Sequence, residues 1–113
     1  MLNRSNFGPL LRSEGEDKLY QLKDYEGAFE AFEKAASAMK GSPFLYGVTS
    51  PDRVYSGAAQ AAVYLGMKKQ AQKYYQNLKD LFDSLRKNQK LGSSLEWHKE
   101  TLKWLEHHIN GMP

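Results

Sequence analysis

The chain contains no cysteine. That absence removes disulfide staples, thiolate nucleophiles and cysteine-ligated zinc, and it fits a reducing compartment. Long apolar runs are missing too. The longest, Ala58 to Met67, is interrupted by Gln60 and Gly66 and reaches only about half the length that crosses a bilayer. The stretch from Met1 to Pro9 has no continuous apolar core, so no secretory leader is expected in it. The expectation is a soluble cytoplasmic protein without membrane contact. Long strand-like alternation is absent.

Motifs that carry chemistry are absent as well. Gly-x-x-x-x-Gly-Lys, Gly-x-Gly-x-x-Gly and Gly-x-Ser-x-Gly do not occur. The histidines are His98, His107 and His108. The last two are adjacent and project about 100° apart on a helix, an unsuitable arrangement for one metal. No His-Glu-x-x-His pattern exists, so the histidines are expected at solvent or at an interface. Glu14, Glu16 and Asp17 cluster, but periodicity puts them on a solvent face rather than in a cleft. No enzyme, cofactor or metal is expected.

What is present is an ordinary globular balance: 41% hydrophobic and 26% charged residues in a chain long enough for one core. The formal charge of +3 is too mild to mark a nucleic-acid binder by itself. Apolar residues recur with a helical period throughout. The spacing predicts five helices and no sheet. The first runs from about Pro9 to Leu22. The second follows Asp24, a good N-cap, and places Ala28, Phe32, Ala35 and Met39 on one face until Gly41-Ser42-Pro43 ends it.

The third helix opens at Ser50-Pro51-Asp52 and stops at Gly66, a residue suited to a left-handed C-cap. The fourth, from about Lys68 to Asn88, turns Ala71, Tyr74, Tyr75, Leu78, Leu81, Phe82 and Leu85 inward. The fifth begins at Ser93, which has capping-box spacing to Glu96, and carries Leu95, His98, Leu102, Leu105 and Ile109 along one stripe. Very short turns join helices one to two and three to four, which forces antiparallel pairs. Residues 41–49 read as a longer connection.

The run Leu19 to Ala35 closely resembles the centre of a tetratricopeptide repeat: Asp24-Tyr25 at the turn, then Ala28, Phe32 and Ala35 at i, i+4 and i+7. Lys23 stands where the family has a turn glycine. A second copy places Tyr55, Ala59, Gly66, Ala71 and Tyr75 at matching positions, with Leu78 in place of the final alanine. The small residues let paired helices approach, and the aromatics fill the holes between pairs. The copies are offset by 43 residues, from Ala28 to Ala71, against a usual period of about 34. The resemblance implies one all-α domain over 1–113: a hairpin at about 9–40, a linker at 41–49, a second hairpin at about 50–88 and a capping helix at about 94–109. Two repeats are fewer than a continuous core normally needs, so the fifth helix or a second copy of the chain is expected to cover the open end.

By the same resemblance a partner would lie in the concave groove, against Ser13, Asp17, Tyr20 and Gln21 of the first helix and Arg53, Ser56, Gln60 and Tyr64 of the third. One branch of the family clamps the terminal carboxylate of chaperones with lysine and asparagine. Here Ser13, Asp17 and Gly57 occupy those places, and Asp17 would repel a carboxylate. Further interface candidates are Phe44, Leu45 and Tyr46 in the connection, and Trp97 and Trp104, seven apart on the fifth helix. The fourth helix is basic, with Lys68, Lys69, Lys73, Lys79, Arg86, Lys87 and Lys90, but its lysines are spread around the axis, so nucleic acid is not the expected partner. The resulting expectation is an adaptor or scaffold that binds an unidentified protein or peptide. The alternatives are a self-associating structural module or, behind it, an RNA-binding one.

Overall fold

The computed structural model describes residues 7–88 and 92–113, with the side chain of Ser93 outside the description. Met1 to Asn6, Lys90 and the Ser93 hydroxyl therefore lie outside the described part of the chain. All described regular structure is helical: α1 (Gly8–Glu16), α2 (Tyr25–Met39), α3 (Pro43–Thr49), α4 (Pro51–Tyr64), α5 (Lys68–Lys87) and α6 (Leu95–Asn110). A π-helical stretch, Asp17–Leu22, extends α1, and a single 3₁₀ turn, Gly92–Ser94, leads into α6.

The helix boundaries follow local chemistry. Asp24 caps α2 by accepting a 3.1 Å hydrogen bond from the Gly27 amide. Ser42 does the same for α3, accepting from the Leu45 amide at 3.0 Å, and Pro43 follows it in the first turn. The tripeptide that ends α2 thus also starts a helix, and the stretch read as a linker is helical over most of its length. Seven residues form no stable helix alone. α3 is held by packing on α1, α2 and α4, with Thr49 fully buried. Ser50 departs from its expected role. It sits in the left-handed region (φ 62°) between α3 and α4, and its hydroxyl makes no cap bond. Gly66 adopts the left-handed turn its position suggests (φ 73°).

The end of the first helix departs most from regularity. In an α-helix Leu22 would share a face with Leu19, three residues earlier. The wider π turn, with its i→i+5 bonds, leaves Leu19 buried and Leu22 69% exposed. Lys23 then takes a left-handed conformation (φ 57°), and the Asp24 amide reaches back to the Lys18 carbonyl at 2.8 Å.

Contacts between helices set their directions. Leu11 clusters with Ala35 and Met39 while Gly15 meets Phe32, so α1 and α2 are antiparallel. Tyr25 stacks on Tyr64 and Phe32 meets Gly57, so α2 and α4 are antiparallel. The three-residue turn after Tyr64 reverses α5 against α4. Tyr75 bonds Glu106 and Phe82 packs on His98, so α6 reverses again. α1, α4 and α6 therefore run the same way, α4 adjoining both others, with α2 and α5 behind them. The 23 Å shortest extent of the molecule matches two helix layers.

Phe32 lies at the centre of this arrangement, with no exposed surface. A Cβ built on Gly15 of α1 would come within 3.0 Å of its ring, and one on Gly57 of α4 would overlap it. Ala28, Ala58, Ala59, Ala61, Ala62 and Ala71 are also fully buried, so small side chains set the spacing of α2, α4 and α5.

Two stability measurements test these assignments. Gly57→Ala gains helix propensity of about 1 kcal/mol, yet overpacking against an immobile ring costs about 1–3 kcal/mol and relief requires backbone movement. The expected net result is a lower urea midpoint. Lys23→Gly removes left-handed strain and should raise stability by about 0.5–1 kcal/mol after the loss of unfolded-chain restriction. An unchanged or lowered midpoint would contradict the strained turn.

Candidate functional site

The shared direction of α1, α4 and α6 brings polar groups from each onto one surface. Glu16, at the end of α1, receives two hydrogen bonds from Arg53 in the first turn of α4, from Nε at 2.9 Å and Nη2 at 2.7 Å. Arg12 donates a third at 3.0 Å. A planar guanidinium meeting a carboxylate through two bonds fixes orientation as well as distance. Two turns further along α4, Gln60 Nε2 donates to Tyr20 Oη at 3.2 Å and to Ser56 Oγ at 2.8 Å. α1 and α4 are thus tied twice along their shared edge.

α6 joins through its buried face. His98 is 1% exposed, with Nδ1 2.9 Å from the Ser94 carbonyl, and must donate there because a carbonyl only accepts. Its Nε2 faces Asp52 of α4 at 4.0 Å, beyond hydrogen-bond reach. His98 therefore departs from the solvent or interface position expected of the histidines. His107 and His108 are exposed, and no group of three or more metal-binding side chains occurs among the described residues.

The surface along the three helices has two hollows, in succession along α4 and α6. The first, of 390 Å³, is lined by Glu16, Tyr20, Asp52, Arg53, Ser94 and Trp97, with the edge of Ser56. The second, of 330 Å³, lies between Gln60 and Tyr64 of α4 and Glu100, Thr101 and Trp104 of α6. Trp97, Glu100, Thr101 and Trp104 follow i, i+3, i+4, i+7 spacing and so share one helical face. The rings are braced. Tyr64 stacks on Tyr25 at 4.5 Å and meets Trp104 at 5.9 Å, while Trp97 stands edge-on to His98 at 4.8 Å.

Of the residues singled out from sequence, Tyr20, Arg53, Gln60 and Tyr64 line this groove. Asp17 and Gln21 are exposed but lie outside its lining, as does Ser13, and Ser56 is almost wholly buried rather than exposed. Trp97 and Trp104, interface candidates separate from the groove in the sequence, line its two hollows from α6. Glu16, Asp52, Glu100 and Thr101 were not anticipated there. Glu16 is four residues before Tyr20, and Glu100 lies between the two tryptophans at helical spacing, so both carried a signal that periodicity alone left unassigned.

The remaining aromatics face elsewhere. Phe44 is 71% exposed on α3 and Leu45 is half-buried. Tyr46 joins Met39, Tyr55 and Tyr74 around an open depression of 770 Å³ whose rim carries Lys34, Lys40 and Lys73. That depression is larger, yet Tyr74 within it is buried and donates to Glu33 at 3.3 Å, so its ring is committed to packing. Tyr75 is half-buried and donates to Glu106 at 3.3 Å. Tyr74 thus has no exposed ring face, while Tyr75 lines a hollow of 280 Å³ beside Lys79, Lys99 and Lys103.

Burial raises the phenol pKa of Tyr20, with the Glu16 charge adding to it against the bond from Gln60. Burial also raises Tyr46, Tyr55, Tyr74 and Tyr75, with nearby Glu33 and Glu106 reinforcing the last two. The folded state holds these protons more tightly than the unfolded chain, whose phenols titrate near 10.0. Their contribution is complete below about pH 10 and is lost as pH rises through the folded values. Denaturation midpoints should fall above about pH 10, with phenolate absorbance lagging behind that of the unfolded chain. A flat profile would contradict it. Comparison of the chain with protein-family models, curated proteins and solved structures found no match.

Proposed function

We propose that the chain is a protein-interaction module of tetratricopeptide-like design, which holds an extended peptide or a partner helix in the groove of α1, α4 and α6. The observation that carries this reading is the convergence of Tyr20, Tyr64, Trp97 and Trp104 from three parallel helices onto one groove. Tyr20, Tyr64 and Trp97 remain 48%, 50% and 40% exposed. Tyrosine and tryptophan are the side chains that most often dominate binding energy, because they offer large apolar area with few rotamers to freeze. Fixed polar groups between them, at Arg53 and Gln60, suit recognition of a peptide backbone. The alternating directions of α1, α2, α4, α5 and α6 support the tetratricopeptide-like part of the reading, with α3 taking up the length between the copies.

Self-association is the second reading. Its supporting observation is α3, where Phe44, Tyr46 and Val48 are 71%, 37% and 38% exposed on seven residues. Light scattering of wild type and Phe44→Asp addresses it directly, since only a self-associating chain would change mass.

A peptide-display selection against the immobilised chain tests the groove. Selected peptides should lose about tenfold or more in affinity for Trp97→Ala or Tyr20→Ala, while binding Phe44→Ser as wild type does. Circular dichroism establishes that each variant remains folded. Selected peptides that bind the groove variants unchanged would end the proposal.

A further inference from the structure

The hollow between α4 and α6 has a chemistry narrower than that of a general peptide groove. Two rings form its wall, Tyr64 and Trp104, with centroids 5.9 Å apart and planes tilted by 52°. Each is backed by another ring. Tyr25 stacks on Tyr64 at 4.5 Å, and His108 stacks on Trp104 at 4.0 Å with its Nδ1 held 2.8 Å from the Trp104 carbonyl. Both rings line the hollow, where Tyr64 remains 50% exposed and Trp104 is half-buried. Glu100 and the polar Gln60 and Thr101 complete the lining.

The charges there oppose those of the whole chain, which carries +3. Along the groove Arg53 is engaged by Glu16, and Arg12 binds the same carboxylate. Asp52 and Glu100 have no lysine or arginine partner among the described residues. α4 also ends at Tyr64, so the negative end of its dipole lies at this hollow. Carboxylate, helix end and the electron-rich faces of two rings all favour positive charge.

We propose that this hollow receives the cationic side chain, arginine or lysine, of a peptide lying in the groove. The proposal rests on the groove reading above and adds the chemistry of the occupant. An acidic side chain would meet Glu100. A neutral one of equal size would gain burial alone.

The test uses the isotope-labelled chain and four blocked tripeptides: Gly-Arg-Gly, Gly-Lys-Gly, Gly-Glu-Gly and Gly-citrulline-Gly, the last a neutral match in shape for arginine. The indole N–H resonances of Trp104 and Trp97 are followed by NMR. The arginine and lysine peptides should give saturable shifts at Trp104, larger than those at Trp97. Citrulline should bind about tenfold more weakly and the glutamate peptide more weakly still. Glu100→Gln should bring arginine down to the citrulline level, and added salt should weaken arginine more than citrulline.

Equal affinity for arginine and citrulline, or indifference to Glu100→Gln, would overturn the charge preference while leaving a peptide groove in place. Shifts confined to α5, or no saturable shift with any tripeptide, would overturn the cation site outright. The display selection would then decide the groove separately.

Discussion

The Phe32 ring of α2 lies between Gly15 of α1 and Gly57 of α4, and the groove depends on that arrangement. A side chain at either glycine would require the helices to separate or the ring to turn. Because both are hydrogen, α1 and α4 sit close over the same ring and run side by side. Their proximity permits the Glu16–Arg53 and Tyr20–Gln60 contacts. These links are partly exposed and individually contribute little to stability. Their role is to hold the edge between two helices whose spacing the ring has already set. Fully burying a phenylalanine contributes about 1.5–3 kcal/mol, a large share of the margin by which a domain of this size stays folded.

The π-helical end of α1 adjusts what that edge presents. Leu19 remains in the core while Leu22 is displaced to solvent, and the chain closes into α2 through a strained Lys23. A continued α-helix would carry the next turn of side chains round by a different angle. The irregular stretch leaves Tyr20 at the groove and Asp17 and Gln21 outside its lining. Irregular turns of this kind are often associated with functional sites, and here the π stretch contains the tyrosine bonded to Gln60.

α6 contributes to both the core and the groove. Its buried stripe, His98, Leu105 and Ile109, packs inward, while the face bearing Trp97, Glu100, Thr101 and Trp104 continues the groove begun by α1 and α4. One helix therefore shields the core and supplies half of the aromatic surface. This economy explains how so short a chain encloses a groove at all. α3 plays a different part. It fills the space beside α1 and α2 through Thr49 and leaves Phe44 to solvent, on an element that lines neither hollow of the groove.

Helix positions were largely legible in the sequence because they depend on neighbours along the chain. Asp24 capping α2, Gly66 ending the α4 turn, the alanine and phenylalanine periodicity of α2 and the Ala71, Tyr74, Leu78 and Phe82 stripe of α5 are local signals that appear in the structure, with Tyr75, Leu81 and Leu85 only half-buried. Residues 43–49 escaped because a seven-residue helix has too weak a period and depends on tertiary packing. For the groove, the tetratricopeptide resemblance pointed to Tyr20, Arg53, Gln60 and Tyr64, and helical spacing paired the two tryptophans. Neither signal revealed that the tryptophans, Glu16 and Glu100 join those four. Those facts require the rotation and direction of three helices distant in sequence, and these are decided by Phe32 between its glycines, the π turn and His98 beneath α6. The sequence by itself determined where helices begin, end and bury their faces, since those choices are made within a few residues. Only the tertiary structure decided which faces meet, because that depends on packing volumes contributed by several helices at once.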